Sequence, residues 1–269
     1  MDNRAIGVFD SGLGGLTVVK KLADLLPGED IVYLGDTGRV PYGPRSQDTI
    51  IKYARQDAAF LAGYDIKAMV IACNTVCSVA FSVLSAEYDI PVFEVVDAPS
   101  RAAVKLTKNG KVGVIGTVAT IRSGAYEKAL KKLSDGLTVT SVACPLFVPL
   151  VEEGWTAPDN IVALNVTSKY LDKFDDSGID TLILGCTHYP LLRDVIAKTM
   201  GSGVTLVDSG AETAKFVAQE LREQNKLSGR DSDGSIRYFV TDSTEGFSMV
   251  ASKYLESDVR GLVEQTTLE

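Results

Sequence analysis

The chain has 269 residues, of which 45% are hydrophobic, so it can bury a substantial core as one large domain or two modest ones. Its net charge is −8 and its 27 Lys and Arg residues are scattered, which argues against nucleic acid as a partner. No apolar run approaches the roughly 18 residues that a membrane helix needs, and the N-terminus lacks a secretory pattern, so we expect a cytoplasmic protein without a membrane partner.

Short apolar runs alternate with amphipathic stretches along the chain. AIGVF, DIVYLG, AMVIA and VFEVV predict four strands, and KVGVIG, LTVTSVA, TLILG and VTLVD predict four more. Between them, LTVVKKLADLL, TIIKYARQDAAFLAGY and GAYEKALKKLSD have helical periodicity. Continuous β-branched runs between helices are typical of buried, mostly parallel strands. The predicted fold class is therefore α/β, with three layers.

The sequence also contains an internal repeat. KAMVIACNT parallels DTLILGCTH, which aligns Cys73 with Cys186. IPVFEVVDAPSRAAV parallels GVTLVDSGAETAKFV, which aligns Asp97 with Asp208. A weaker similarity between AIGVFDSG and KVGVIGTV precedes each pair, and there the first copy has Asp10 where the second has a glycine. Three similarities in the same order predict two duplicated α/β units.

The repeat indicates where the two units divide. We predict a first unit of residues 1–97 together with 208–269, because helix-like ETAKFVAQELREQ and strand-like SIRYFV should return to it. The second unit is then 98–207. The polar segment KLSGRDSDGS is typical of a flexible loop. If a pseudo-two-fold axis relates the units, the active site lies between them, beyond the carboxyl ends of the strands.

Cys73 and Cys186 are the candidate catalytic groups. Each follows a predicted buried strand, so the two thiols should approach one bound molecule from opposite sides. Stereoinversion needs such a pair, because one thiolate removes a proton and the opposite thiol returns one to the far face. A thiol with an ordinary pKa of about 8.5 can be adjusted by its neighbours to either form. We expect all four cysteines to be reduced, with Cys77 and Cys144 as small core residues.

The two halves offer these thiols different neighbours. Asp10 ends the first strand and should lie across the strand tips from Cys73. His188, the only histidine, follows Cys186 in LILGCTHYP and is predicted to position Cys186 or exchange protons with it or with the substrate. The alternative is a turn histidine that caps the next helix.

Other segments could complete a site. DSGLGG lacks the G-x-G-x-x-G spacing of a dinucleotide loop, and it could instead bring Ser11 and a helix N-terminus to a small carboxylate. The turn-rich GDTGRVPYGPRS is either an ordinary loop or a substrate lid. Asn74, Thr75 and Thr187 suit the ionic ends of an amino acid, or they cap helices.

Two further alternatives concern an acidic side chain and a bound metal. Glu152 or Glu153 in PLVEEG could enter the site from the second half, or be a solvated loop charge. Zinc bound by the cysteines and His188 is disfavoured, because a C-x-x-C spacing and a second paired motif are both absent from the sequence. We therefore expect no metal.

Five segments, in the same order, resemble the corresponding segments of bacterial glutamate racemases: GVFDSGLGGLTV, GDTGRVPYGPRS, VIACNT, GVIGTVATIRS and LILGCTHYP. The resemblance runs from about Ile6 to Thr213. It implies an isomerase, a cofactor-independent amino-acid racemase that interconverts L- and D-glutamate. It also implies a supply of D-glutamate for peptidoglycan, hence a role in cell wall biogenesis and cell shape, and a homodimer.

The same resemblance implies roles for particular residues. The catalytic thiols correspond to Cys73, which acts on the α-proton of the D-enantiomer, and Cys186, which acts on that of the L-enantiomer. The assisting acid/base groups correspond to Asp10, Glu152 and His188. The substrate contacts fall on Asp10, Ser11, Tyr42, Gly43, Asn74, Thr75, Thr187 and His188, with Thr117 and Thr120 as additional contacts.

Three other functions compete with this interpretation. The nearest is a racemase of the same fold for aspartate or a hydantoin, against which D-S-G-x-G-G and the histidine of GCTHYP favour glutamate. A non-catalytic amino-acid-binding protein is the second, although binding alone needs no pair of thiols. A pyridoxal enzyme is the third, and neither a phosphate-binding motif nor an evident Schiff-base lysine at a strand end supports it.

Overall fold

The computed structural model describes residues 1–268, except for the side chain of Lys253, and contains two β-sheets. The first sheet is built from β1 (Ile6–Asp10), β2 (Ile31–Gly35), β3 (Ala68–Ile71), β4 (Val92–Glu94), β9 (Ile236–Val240) and β10 (Val263–Gln265), in the order β10-β9-β2-β1-β3-β4. The second is built from β5 (Lys111–Gly116), β6 (Thr138–Ala143), β7 (Thr181–Gly185) and β8 (Thr205–Asp208), in the order β6-β5-β7-β8.

The duplication predicted from the sequence is confirmed by the strand order. In the first sheet the first four strands run β2-β1-β3-β4, and the second sheet repeats this succession as β6-β5-β7-β8. The neighbouring strands described in both sheets pair in parallel. The predicted α/β class with parallel sheets is therefore confirmed.

The register corrects one detail of the sequence alignment. Ile71 pairs with Glu94 in the first sheet, and Leu184 pairs with Asp208 in the second. Asp208 is therefore equivalent to Glu94, and the alignment of Asp208 with Asp97 was wrong. Both carboxylates accept hydrogen bonds from backbone N–H groups at the start of the following helix, so a shared capping role underlies the similarity.

Helices surround the two sheets. They are α1 (Leu16–Leu25), α2 (Gln47–Ala62), α3 (Asn74–Glu87), α4 (Asp97–Leu106), α5 (Val118–Ser123), α6 (Ala125–Leu133), α7 (Phe147–Glu152), α8 (Ile161–Leu171), α9 (Arg193–Met200), α10 (Ser209–Glu223) and α11 (Thr244–Leu255). Short 3₁₀ turns occupy Thr37–Arg39, Asp172–Phe174 and Tyr189–Leu192. In the part of the chain that the structure describes, no helix is long and apolar enough to cross a membrane.

Burial explains why the central strands are continuous apolar runs. Every residue of β1, β2, β3 and β7 is buried, so these strands need apolar side chains on both faces. The edge strand β6 is only partly buried, and its TVTSVA sequence mixes polar and apolar residues accordingly. Burial of apolar surface stabilises the fold by about 25 cal/mol per Å² removed from water, and it is the main driving force that holds such strands together.

The connecting helices tie the two sheets to each other. The helix α4 follows β4 but packs against β7 and β8, whereas α10 follows β8 and packs against α1 and β4. The tail then returns to the first sheet, where β9 pairs with β2. The exact division at residues 97 and 208 stays a prediction.

Candidate active site

The two predicted catalytic thiols line the same cavity. Cys73 lies at the N-cap of α3, just beyond β3, and Cys186 follows the last residue of β7. Each is only 5% exposed, and both contribute to the wall of a cavity of about 720 Å³. Each sulfur lies beyond the carboxyl end of a parallel strand, β3 of the first sheet and β7 of the second, which is where ligands bind in such sheets.

Most of the other predicted site residues line this cavity too. They are Ser11, Tyr42, Gly43, Asn74, Thr75, Thr117, Glu152, Thr187 and His188. Asp10 and Thr120 are not among the lining residues, although both are buried close behind it. The cavity also includes Arg45, Arg122 and Ser123, which lie within segments quoted above but were not singled out as site residues.

Cys73 has a hydroxyl and a buried carboxyl group as neighbours. Ser11 Oγ lies 3.2 Å from Cys73 Sγ, and Asp10 ends the adjacent strand β1. Burial and the negative charge of Asp10 raise the pKa of Cys73 to about 12, against hydrogen bonding from Ser11. Cys73 is therefore a thiol at neutral pH in this state of the protein.

Asp10 is itself deeply buried. It is 1% exposed; its Oδ2 accepts a hydrogen bond from the N–H of Gly12 at 3.0 Å, and its Oδ1 has no partner among residues 1–268. Burial raises the pKa of Asp10, although the charge of His188 and nearby backbone N–H groups oppose this rise. The unpartnered oxygen leaves Asp10 able to accept one further hydrogen bond.

Cys186 has an imidazole as its neighbour, and that imidazole contacts an acidic side chain. His188 Nδ1 lies 4.0 Å from Cys186 Sγ, and His188 Nε2 lies 3.3 Å from Glu152 Oε1. Burial opposes protonation of His188, but the interactions with Cys186 and Glu152 outweigh it and raise the pKa of His188 to about 10. The imidazolium can therefore persist at neutral pH beside Cys186.

The structure decides two of the alternatives that the sequence left open. His188 begins the 3₁₀ turn at Tyr189–Leu192, but its side chain makes no capping hydrogen bond there, so the capping interpretation was wrong. Glu152 is the last residue of α7 and contacts His188, whereas Glu153 is not among the residues that line the cavity. Glu152 is thus the acidic side chain that faces the site.

Asn74 and Thr75 also make contacts other than helix caps. Asn74 Oδ1 accepts a hydrogen bond from the hydroxyl of Tyr126 at 2.6 Å, and Thr75 Oγ1 lies 3.0 Å from Thr117 Oγ1. Thr117 caps α5 by accepting from the N–H of Thr120, whose hydroxyl also lies 3.0 Å from Thr117 Oγ1. Thr120 therefore supports Thr117 from behind the cavity wall.

Tyr42 belongs to the turn-rich loop, which contributes a wall of the cavity. Its hydroxyl donates to the buried carboxylate of Asp36 and lies 3.1 Å from Asp57 Oδ2. Arg39 pairs with the same two carboxylates, at 2.5 Å to Asp36 and 2.9 Å to Asp57. The phenol therefore anchors the loop and leaves its ring and the neighbouring Gly43 to face the cavity.

The glycines of DSGLGG allow the two halves to approach closely. A Cβ atom on Gly14 would lie 2.1 Å from Thr187 Oγ1 and 2.5 Å from His188 Nδ1. Only hydrogen fits between these groups, so Gly14 lets the loop after β1 pack directly against the Cys186 side of the site. Close packing between side chains accounts for this glycine without a phosphate ligand.

The side chains described between residues 1 and 268 include no group of three or more His, Cys, Asp or Glu that could hold a metal ion. Cys77, one of the residues considered for zinc, donates its thiol proton to the carbonyl of Ile71 at 3.2 Å. All four cysteines, each within this described part, are free thiols.

A duplicated parallel α/β fold that supplies one thiol from each copy to a shared cavity suits a racemase, because inversion at carbon needs one acid/base group on each face. The chain belongs to the Asp/Glu/hydantoin racemase family, whose profile matches residues 6–217.

Individual relatives extend this similarity over nearly the whole chain. A glutamate racemase from Geobacter metallireducens is 48% identical over 266 residues, which cover 99% of this chain and 97% of the relative. A solved glutamate racemase isoform from Bacillus anthracis superposes with a TM-score of 0.95 at 40% identity, covering 100% of this chain and 99% of that one. The glutamate racemase of Francisella tularensis, solved in complex with D-glutamate, gives a TM-score of 0.92 at 40% identity, with coverage of 100% and 99%.

Proposed function

We propose that this protein interconverts L- and D-glutamate without a cofactor, and that Cys73 and Cys186 are the two acid/base groups. The observation that carries the proposal is the placement of two buried thiols, one from each copy of the repeat, on a single cavity of about 720 Å³. A site that only binds an amino acid has no need for two groups that transfer protons.

Racemisation in this site is a proton exchange between two sulfurs. One thiolate takes the proton from Cα, and the electron pair of the broken C–H bond remains on a planar carbanion that the carboxylate delocalises. The opposite thiol then gives its proton to the other face of Cα. The first sulfur ends as a thiol and the second as a thiolate, so the reverse reaction begins from the complementary state.

The surroundings of the sulfurs favour one resting state. Cys73 is held as a thiol by burial and by Asp10, and a protonated His188 lies beside the second sulfur, with Nδ1 4.0 Å from Cys186 Sγ. This state is ready to accept a proton at Cys186 and donate one from Cys73. By correspondence with the family, it is the state that acts on L-glutamate.

Side chains around the sulfurs can hold the ionic ends of glutamate. Ser11, Asn74 and Thr187 present short polar groups at the cavity wall, and Arg45 and Arg122 add positive charge to it. The relatives named as glutamate racemases, at 40–48% identity over nearly the full chain, support glutamate rather than aspartate or a hydantoin as the substrate. The D-glutamate complex of the Francisella tularensis protein supports the same choice.

The wider role follows from the product. We propose that the enzyme supplies D-glutamate for peptidoglycan, and so takes part in cell wall biogenesis. A cytoplasmic location and a homodimer, both implied by the family resemblance, are part of the same proposal. Sedimentation of the purified protein at several concentrations would test the dimer directly.

The deciding experiment is incubation of dialysed protein with L-glutamate in deuterated buffer that contains EDTA and no added cofactor. Optical rotation and the α-proton NMR signal are followed together. We expect both to disappear, because inversion by this route exchanges the α-proton with solvent. If glutamate loses neither signal and L-aspartate reacts, the substrate would be aspartate rather than glutamate.

Two further outcomes would point to a different class of protein. Activity that appears only with pyridoxal phosphate, accompanied by the visible absorbance of its Schiff base, would replace the two-thiol proposal with cofactor chemistry. Binding of glutamate by calorimetry without any exchange of the α-proton would support the non-catalytic binding protein.

A further inference from the structure

Tyr126 reaches from the second half of the repeat to the first, beside the cavity. It lies in α6 and is 2% exposed, and its hydroxyl is 2.6 Å from Oδ1 of Asn74 and 2.9 Å from the carbonyl oxygen of Val95. Asn74 begins α3, directly after Cys73, and Val95 follows β4. The phenol thus contacts two segments of the first sheet at the edge where the thiol of Cys73 is located.

The contact with Tyr126 determines how the amide of Asn74 is turned. The phenol O–H can donate, and burial raises its pKa well above the ordinary value, so the proton stays on the oxygen. The phenol has a single proton, and its shorter contact, 2.6 Å to Asn74 Oδ1 against 2.9 Å to the Val95 carbonyl oxygen, assigns that proton to Asn74. A donor at this position attracts the amide oxygen and leaves the amide nitrogen on the opposite side. Loss of the phenol oxygen would remove the reason for Asn74 to prefer this orientation.

The amide nitrogen of Asn74 has an unused hydrogen-bonding capacity. Asn74 is 2% exposed and lines the cavity, yet its Nδ2 atom has no hydrogen-bond partner among the described residues. An amide N–H₂ that is buried without an acceptor is unfavourable, and a ligand that supplies an acceptor recovers that free energy. A carboxylate offers such an acceptor and carries the charge that strengthens the bond.

We propose that Tyr126 is a positioning residue that turns Asn74 so that its amide N–H₂ donates to a carboxylate of the bound amino acid. The inference rests on the proposed function and names the contact by which this site recognises that carboxylate. Because the hydrogen bond joins the two halves of the repeat, binding of the substrate carboxylate depends on both halves.

A double-mutant cycle tests the proposal. Tyr126→Phe removes one oxygen and should lower kcat/KM for glutamate, and weaken D-glutamate binding in calorimetry, by about tenfold. Asn74→Ala should lower both by at least as much. If Tyr126 acts through Asn74, adding Tyr126→Phe to Asn74→Ala should produce no further loss. An equal loss from Tyr126→Phe in both backgrounds would overturn the proposal and assign Tyr126 a packing role.

Tyr189→Phe is the matched control for this cycle. Tyr189 is fully buried, and its hydroxyl donates to the backbone carbonyl of Cys144 at 2.9 Å without contacting Asn74. Its effect should therefore be the same in the wild-type and Asn74→Ala backgrounds. Coupling of Tyr189→Phe to Asn74→Ala as strong as that of Tyr126→Phe would show that the cycle does not report the proposed contact, and would overturn it.

A second variant keeps the test decisive if Tyr126→Phe does not fold. Asn74→Asp retains an acceptor for the phenol but replaces the amide N–H₂ with an oxygen that repels a carboxylate. It should bind D-glutamate more weakly than Asn74→Ala, and equal or tighter binding would overturn the proposal. Because D-glutamate binding is measured separately from turnover, wild-type protein that binds but does not racemise would refute the proposed function without deciding this contact.

Discussion

The Cys73 side and the Cys186 side of the cavity are built from equivalent strands of the repeat, but the side chains around the two sulfurs differ. Both sulfurs follow an interior strand at equivalent positions of the repeat. Cys73 then meets a serine hydroxyl and a buried aspartate, whereas Cys186 meets an imidazole that is itself bound to Glu152.

The difference matters for the proposed reaction, which needs two sulfurs in opposite protonation states. Identical surroundings would give the two thiols the same pKa, and neither state would be preferred. Asp10 disfavours negative charge on Cys73, whereas the neighbour of Cys186 is the imidazole of His188, whose Nδ1 lies 4.0 Å from the sulfur. The duplication thus accounts for where the sulfurs lie, and the diverged neighbours make the surroundings of the two sulfurs unequal.

Removing either sulfur should have the largest effect on racemisation. Cys73→Ala and Cys186→Ala should each lower racemisation by at least about 10³-fold, because the remaining thiol reaches only one face of Cα. Each variant should still exchange the α-proton of one enantiomer without inversion, and the enantiomer should differ between them. NMR of L- and D-glutamate in deuterated buffer measures this exchange.

Cys144→Ala serves as the control for both substitutions. Cys144 is fully buried in the core of the second sheet and is not among the residues that line the cavity, so its variant should racemise at close to the wild-type rate. Substantial turnover by either Cys73→Ala or Cys186→Ala, or exchange of the same enantiomer by both, would contradict the two-sided arrangement.

Gly14→Ala should damage the Cys186 side from across the cavity. The added methyl group would collide with Thr187 and His188, and displacement of the imidazole by about 1 Å should lower kcat/KM on the order of 10²-fold. Gly136→Ala is the control, because a Cβ there has no atom within 4 Å. If the two alanine variants are equally active, Gly14 does not fix the position of His188.

His188→Asn and Asp10→Asn should affect the Cys186 side and the Cys73 side of the cavity separately. Each should lower kcat about 10- to 100-fold, and unequally in the two directions, since each helper serves one sulfur. The enantiomers have equal free energies, so kcat/KM must stay equal in both directions and the asymmetry must appear as matched changes in kcat and KM. The two variants should show opposite asymmetry in progress curves started from each enantiomer; symmetric losses would indicate structural roles.

The pH dependence should also separate the two sides. Because the pKa of His188 is raised to about 10, its positive charge is present at neutral pH and is lost as pH rises through about 10. We expect kcat/KM of the wild-type protein to fall in that range, and this fall should be absent from His188→Asn and retained in Asp10→Asn. An unchanged alkaline limb in His188→Asn would assign the titration to another group.

The smallest effect should come from the two arginines at the cavity wall. Arg45 precedes α2 and Arg122 lies in α5, both are exposed, and the protein as a whole carries a net charge of −8. Replacing either with Gln should reduce kcat/KM for glutamate by roughly two- to fivefold at low salt, and by less as salt screens the charge. Lys131→Gln removes an exposed charge from α6 outside the cavity wall and should have no comparable effect; equal salt dependence in all three variants would contradict a local role.

Much of the fold was predictable from local patterns. TLILG and KVGVIG coincide with β7 and β5, because a continuous apolar run in a chain of alternating helices can be buried only as an interior strand. The repeat also predicted equivalent places for Cys73 and Cys186. The equivalence of Glu94 and Asp208 in the repeat was missed, since the polar residues at the ends of β4 and β8 allowed more than one alignment.

The candidate site was less accessible to such patterns. Tyr42 was predicted as a substrate contact, but its hydroxyl is engaged by Asp36 and Asp57, and Thr120 lies behind Thr117. Tyr126 was not singled out at all. Its separation from Asn74 in the chain hides a contact that only packing creates.

The sequence by itself determined the strands, the duplication and the placement of a thiol after β3 and β7, because apolar periodicity and strand-ending residues act over a few neighbouring positions. The tertiary structure was needed to show that Glu152 rather than Glu153 contacts His188, that Ser11 and Asp10 lie near Cys73, and that burial favours the thiol form of Cys73. Burial and charge interactions set these properties, and both depend on distances between groups that are remote in the chain.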